Sequence, residues 1–124
     1  MASAALLIAA FLCVLTAALH SVLGEQKLIG PLVGSQARTM RDPLARTVLR
    51  LAWHWTSVLW LCVAVVLVTA GTGSFVDPAI LLAIALAHIV CGLLDAALTR
   101  GKHIGWPFIL SIGVLTLFAV YLTR

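Results

Sequence analysis

Charge is what this chain lacks most. Only 10% of its residues are Asp, Glu, Lys or Arg, while 63% are apolar. Soluble domains carry about a quarter charged and half apolar residues, so a water-soluble globule is excluded. The same shortage excludes a disordered tail, a collagen or a nucleic-acid arm, each of which needs abundant polar surface, and no nucleic acid is expected as a partner. Cysteine is scarce too. Cys13, Cys62 and Cys91 are the only three; none belongs to a C-x-x-C pair, which argues against a disulfide-generating oxidoreductase and against thioether-linked haem. They read as small apolar side chains inside a bundle, with Cys91 the exception to watch. H-x-x-x-H, H-E-x-x-H and E-x-x-H spacings are absent as well, so any metal site must be assembled from separate segments.

Long apolar runs are what the chain has in quantity. They cover residues 2–23, 51–70, 78–99 and 104–123. Each is close to the roughly 20 helical residues that a hydrocarbon core about 30 Å thick requires. The expected fold is all-α, an integral membrane bundle of four transmembrane helices forming a single domain over residues 1–124. Asp42-Pro43 and Asp77-Pro78 have the form of an N-cap followed by proline in the first turn, so the second helix is expected to begin near Pro43. Arg46 and Arg50 then fall in its headgroup-level turns. Gly24 and Gly101 are placed as C-terminal stops. The spans become 2–23, 43–70, 78–99 and 104–123, with loops at 24–42 and 100–103. Gly30-Pro31 and Gly34 predict that the longer loop is interfacial or partly re-entrant and not a regular helix.

Orientation follows from the basic residues. Lys27, Arg38, Arg41, Arg46, Arg50, Arg100 and Lys102 cluster around those two loops, whereas the connection 71–77 has none. Positive-inside bias puts both loops in the cytoplasm and both termini outside, with Arg124 alone on the far side. A bacterial inner membrane is the expected location. The first run lacks a basic leading region and is too long for a cleaved signal peptide, so it is read as a span.

Ionisable groups inside a span are costly and therefore candidates for function. The four histidines fall one to each helix or its edge: His20, His54, His88 and His103. Counting about 1.5 Å per residue, His20, His54 and Asp95 lie at one level, roughly 6 Å inside the cytoplasmic boundary. His103 and Glu25 sit just outside that level and His88 deeper. His88, Cys91, Gly92, Asp95 and Thr99 recur at helical spacing, as do Cys13, Thr16, Ala17 and His20, and His54, Ser57, Leu61 and Cys62, which predicts three inward faces. Trp53, Trp55 and Trp106 read as an interfacial aromatic belt, although they would also wall a pocket. The groups His20-Ser21 with Gly24-Glu25, Trp53-His54-Trp55, and Lys102-His103 with Gly105-Trp106-Pro107 stand out as signatures.

The chemistry expected of such a site is metal or haem binding. His20, His54, Asp95, His103 and Glu25 offer a ligand set for iron or zinc. Alternatively His20 with His54 or His88 would ligate a b-type haem, and His103 completes the cofactor-binding set. Electron transfer, or oxidation of a lipid-soluble small molecule such as a quinone, would be its use. Two other readings stand beside this one. The chain is an accessory or assembly subunit of a larger membrane complex or a homo-oligomer, or it is a small proton- or metal-coupled transporter. Small four-helix multidrug exporters have a similar length but depend on a carboxylate deep in the first helix, which is absent here. Arg50, Arg100 or Lys102 could also neutralise Asp95 without any cofactor.

Overall fold

The computed structural model describes residues 1–123; Arg124, expected beyond the far membrane face, lies outside the described residues. Every regular element among them is helical. Helix α1 (Ala2–Gly24) runs into a π-helical turn (Glu25–Ile29) and then α2 (Gly30–Val33). A 3₁₀ turn (Arg38–Arg41) leads to α3 (Pro43–Gly71), followed by α4 (Pro78–Leu98) and α5 (Trp106–Leu122). Three helices, Ala2–Val33, Pro43–Gly71 and Pro78–Leu98, are long and apolar enough to cross a membrane, while Trp106–Leu122 is apolar but shorter. The protein is thus a helical membrane protein by length and composition.

The helix starts behave as the sequence predicts. Asp42 accepts a hydrogen bond from the Leu44 amide at 2.9 Å and Asp77 one from Ala79 at 2.8 Å. Each thereby satisfies one of the free N–H groups of a first turn that proline opens. Gly101 ends α4 as expected: at φ +72° its amide reaches back to the Ala96 carbonyl at 2.8 Å.

Gly24 does not stop α1, contrary to expectation. Its φ of −64° and ψ of −44° are helical, and the chain stays helical through Val33. Glycine is required there for room, because a Cβ would collide with the indole of Trp53. The expectation of an irregular loop over 24–42 is corrected with it, since only the part after Val33 leaves the helix before the 3₁₀ turn. Pro31 supplies the reason for the π turn. Its ring would strike the carbonyl four residues back in a regular helix, and the wider turn just before it, closed by the Gly30 amide on the Glu25 carbonyl, relieves that clash.

The long helices pack in the order α3, α1, α5, α4. Small side chains line the contacts: Ala5, Ala9, Ala10, Cys13 and Ala17 on α1, Ala64 on α3, Ala85 on α4 and Ala119 on α5 are buried. Large apolar ones such as Leu7, Ile8, Phe11, Val65 and Val90 face outward. That inversion suits lipid, where no hydrophobic force drives helices together and close backbone approach must hold them. Gly92 and Gly113 allow it between α4 and α5: a Cβ on Gly92 would lie 2.7 Å from the Leu110 amide nitrogen, and one on Gly113 2.7 Å from the Ala85 carbonyl.

Two of the predicted inward faces need correcting. On α4 the buried stripe is Leu81, Ala85, His88 and Gly92, and Cys91 is exposed. On α3 it is Ser57, Ala64, Leu67 and Gly71, with Leu61 and Cys62 exposed. Both helices lie at the ends of the row and touch mainly one neighbour each, so their buried faces are narrower than a central helix would need. On α1, Cys13, Thr16 and Ala17 are buried with His20 part-buried, as expected. Replacing Gly92 by Val should therefore lower the stability of the protein in detergent by about 1–3 kcal/mol. Cys91→Val, one residue away on the open face, should change it by less than about 0.5 kcal/mol. Thermal unfolding of both variants checks this, and equal losses would contradict the assigned face.

Candidate functional site

The site grows out of the contact between the end of α1 and the beginning of α3. Trp53 lies in the space that Gly24 leaves and donates its indole N–H to the His20 carbonyl at 3.1 Å. A carbonyl oxygen has two lone pairs, so this one can accept the indole N–H while it remains part of the helix. The Trp53 ring stacks on the His20 imidazole with centroids 4.1 Å apart and planes 11° from parallel. Trp60 closes the other side edge-on at 5.2 Å. Trp53 is thus part of the site, not only of an aromatic belt, whereas Trp55 is exposed as a belt residue would be.

With the two helices so aligned, a chain of polar groups forms between them. Arg50 pairs with Glu25 Oε1 at 2.8 Å, and the other carboxylate oxygen, Oε2, accepts from His54 Nε2 at 3.2 Å. The opposite ring nitrogen, Nδ1, meets Ser21 Oγ at 2.6 Å. A carboxylate can only accept, so Nε2 carries the proton, and in the neutral ring Nδ1 accepts from the Ser21 hydroxyl. His20 is fixed by the same logic. The Thr56 hydroxyl gives its one proton to the Trp53 carbonyl at 2.7 Å and therefore accepts from His20 Nε2 at 2.8 Å.

Asp95 and His103 are joined elsewhere. His103 Nδ1 donates to Asp95 Oδ2 at 2.6 Å across the turn between α4 and α5. Thr99 ties the turn by donating to the Asp95 carbonyl at 2.6 Å, and Trp106 Nε1 donates to the Gly101 carbonyl at 3.3 Å. Asp95 thus has a histidine partner, while Arg50 serves Glu25 instead. His88 hydrogen-bonds the Ile84 carbonyl of its own helix at 2.8 Å and joins neither cluster. Of the expected ligand set the structure unites His20, His54 and Glu25 at one contact and Asp95 with His103 at another. Among the described residues no three His, Cys, Asp or Glu side chains are grouped to hold a metal ion. Both nitrogens of His54 already have partners, and His20 keeps only Nδ1 free of a hydrogen bond.

Ser21, Arg50 and Thr56 were not among the expected site residues. The signal for them was present: Ser21 is next to His20, and Arg50 precedes His54 by one helical turn. Deeper in the helix pair, Thr16 and Ser57 are buried with hydroxyls that meet no partner among the described residues. Thr16 is one turn before His20 and Ser57 nearly one turn after His54, so they lie about 6 Å and about 4.5 Å further from the basic end.

Searches of protein-family models, curated proteins and solved structures return no match to this chain. Function must then be argued from these side chains. The Ser21–His54 bond should couple the two residues by about 0.6 kcal/mol, the average for such bonds between membrane helices. A double-mutant cycle with Ser21→Ala and His54→Ala, read by unfolding in detergent, measures it; strict additivity would mean the bond does not form.

Proposed function

We propose that the chain is a four-span protein of a bacterial inner membrane, with both termini outside, whose α1/α3 site handles protons at the cytoplasmic boundary, as in a small proton-coupled transporter. The observation that carries this reading is the position of His54, with a hydroxyl on one ring nitrogen and a carboxylate on the other. Such an imidazole can take a proton on Nδ1 as it releases one from Nε2, which moves charge across the ring without moving the side chain. Arg50, at the end of the chain nearest the basic loop, is nearly half exposed. The hydroxyls of Thr16 and Ser57, without partners among the described residues, continue the line of polar groups deeper into the bundle.

Serine, histidine and glutamate in series also resemble the layout of an acyl-transfer site. Ser21, however, sits within a helix whose amide hydrogens are committed to the helical ladder, so no pair of free N–H groups stands ready for an oxyanion. Iron, zinc or haem ligation would need His54 to give up one of its present partners. The basic residues around 24–50 and 100–102, against none in 71–77, support one fixed orientation.

Proteoliposomes with a pH-sensitive dye inside test the proposal. Under an imposed gradient, wild-type protein should conduct protons measurably faster than empty vesicles, and His54→Gln and Glu25→Gln should each lower the rate at least about tenfold. Wild-type flux equal to that of empty vesicles would sink the proton reading in favour of an accessory subunit. Stoichiometric iron, zinc or haem in the purified protein would replace it with a ligand role for the histidines. Reporter fusions at each terminus should be active outside the cytoplasm, and an active cytoplasmic reporter at either end would overturn the assigned topology.

A further inference from the structure

Beside the proton site a groove of about 640 Å³ runs along the first three turns of α3. Pro43, Arg46, Arg50 and His54 recur along it at three- to four-residue intervals, and Thr47 and Leu51 flank them four apart, which puts all six on one side of the helix; Val33 at the end of α2 forms the facing wall. The groove therefore combines two guanidinium groups with an apolar floor. Arg50 shares its charge with Glu25. Arg46 makes no ion pair among the described residues; its Nε donates to the Met40 carbonyl, which holds the planar fork in place while the charge stays uncompensated. Two guanidiniums against one carboxylate leave the groove with a net positive charge.

We infer that this groove binds the phosphate headgroup of an anionic phospholipid, with Arg46 as the principal contact. A guanidinium held at one nitrogen still presents its remaining N–H donors, and a phosphate diester accepts two of them side by side. The choice of a lipid over a soluble phosphate rests on the apolar wall. Leu51, 65% exposed, opens the long apolar face of α3 directly beyond Arg50. A phosphate at Arg46 thus has a hydrocarbon-facing surface next to it for its acyl chain, which a free anion would leave unused. Basic pockets at the cytoplasmic ends of membrane helices recognise anionic lipids by this combination.

The inference rests on the membrane placement proposed above but not on proton transfer, so each can fail alone. Native mass spectrometry of the purified protein, with phosphatidylglycerol and phosphatidylcholine of matched chains added in equal amounts, supplies the test. Phosphatidylglycerol should be retained about fivefold more, the factor that one basic contact near an anionic headgroup supplies, because the choline ammonium of phosphatidylcholine offsets the charge of its own phosphate diester. Arg46→Gln, which leaves Glu25, Arg50 and His54 intact, should bring the ratio close to one. Equal retention by wild type, or an unchanged preference in the variant, would overturn the site. Displacement of the lipid by inorganic phosphate alone would overturn the lipid assignment and identify a soluble anion as the ligand.

Discussion

The contact on which the polar end of this protein depends is the one between Trp53 and the backbone of α1. An indole fills the space above Gly24, stacks on His20 and takes its carbonyl as a hydrogen-bond acceptor. Those three restraints fix both the separation and the register of α1 and α3. In lipid, helices gain nothing from hydrophobic burial, so a directional contact of this kind has more influence on their alignment than it would in water. Once Trp53 is seated, Ser21 and Glu25 fall on either side of His54 and Arg50 reaches Glu25. The polar chain is thus a consequence of packing, and glycine at position 24 is its precondition.

The π turn does related work along the helix. Glu25, Ile29 and Val33 follow Ser21 at intervals of four residues. In a regular α-helix each such step drifts by about 40°, so three of them would carry Val33 well round the helix from Ser21. A turn with more residues takes up that drift and keeps the four side chains on one side. Ile29 and Val33 can then bury with Met40, packed by Leu49 and Trp53. This small apolar cluster anchors the segment that Pro31 would otherwise have broken away, and it builds one wall of the arginine-lined groove. A proline that looks like a helix breaker in the sequence is here accommodated by a local change of helical pitch.

Much of the fold was legible because the bilayer permits so few alternatives. Apolar length located the helices, and the two Asp-Pro pairs marked the starts of α3 and α4 by a mechanism that acts within four residues. The site was legible only in one dimension. Counting residues along helices gave a common depth for His20 and His54, and in the structure each bonds to a residue of the other's helix, Thr56 and Ser21. The same count placed Asp95 at that level, yet Asp95 turns to His103 on the adjacent turn. Depth carries no information about which helices are neighbours, and the order α3, α1, α5, α4 is a tertiary fact. Gly24 failed as a stop signal for a similar reason. Local sequence cannot distinguish a glycine needed for a left-handed turn, as at Gly101, from one needed to admit an indole from another helix.

The two histidine clusters differ in a way that bears on chemistry. His103 and Asp95 form a closed pair on a surface turn, where the carboxylate is bonded by the imidazole and the backbone carbonyl by Thr99. The chain through His54 is open at both ends. At one end it finishes at Arg50, which is nearly half exposed, and from the other it points toward two buried hydroxyls that meet no partner among the described residues. Alanine at Thr16 and Ser57 would leave no polar atom unsatisfied, and alanine already occupies buried positions on both helices, at Ala10 and Ala17 on α1 and at Ala64 on α3. The hydroxyls at these two positions, within one helical turn of the histidines, are the observation that favours the proposed proton route over a purely structural seam.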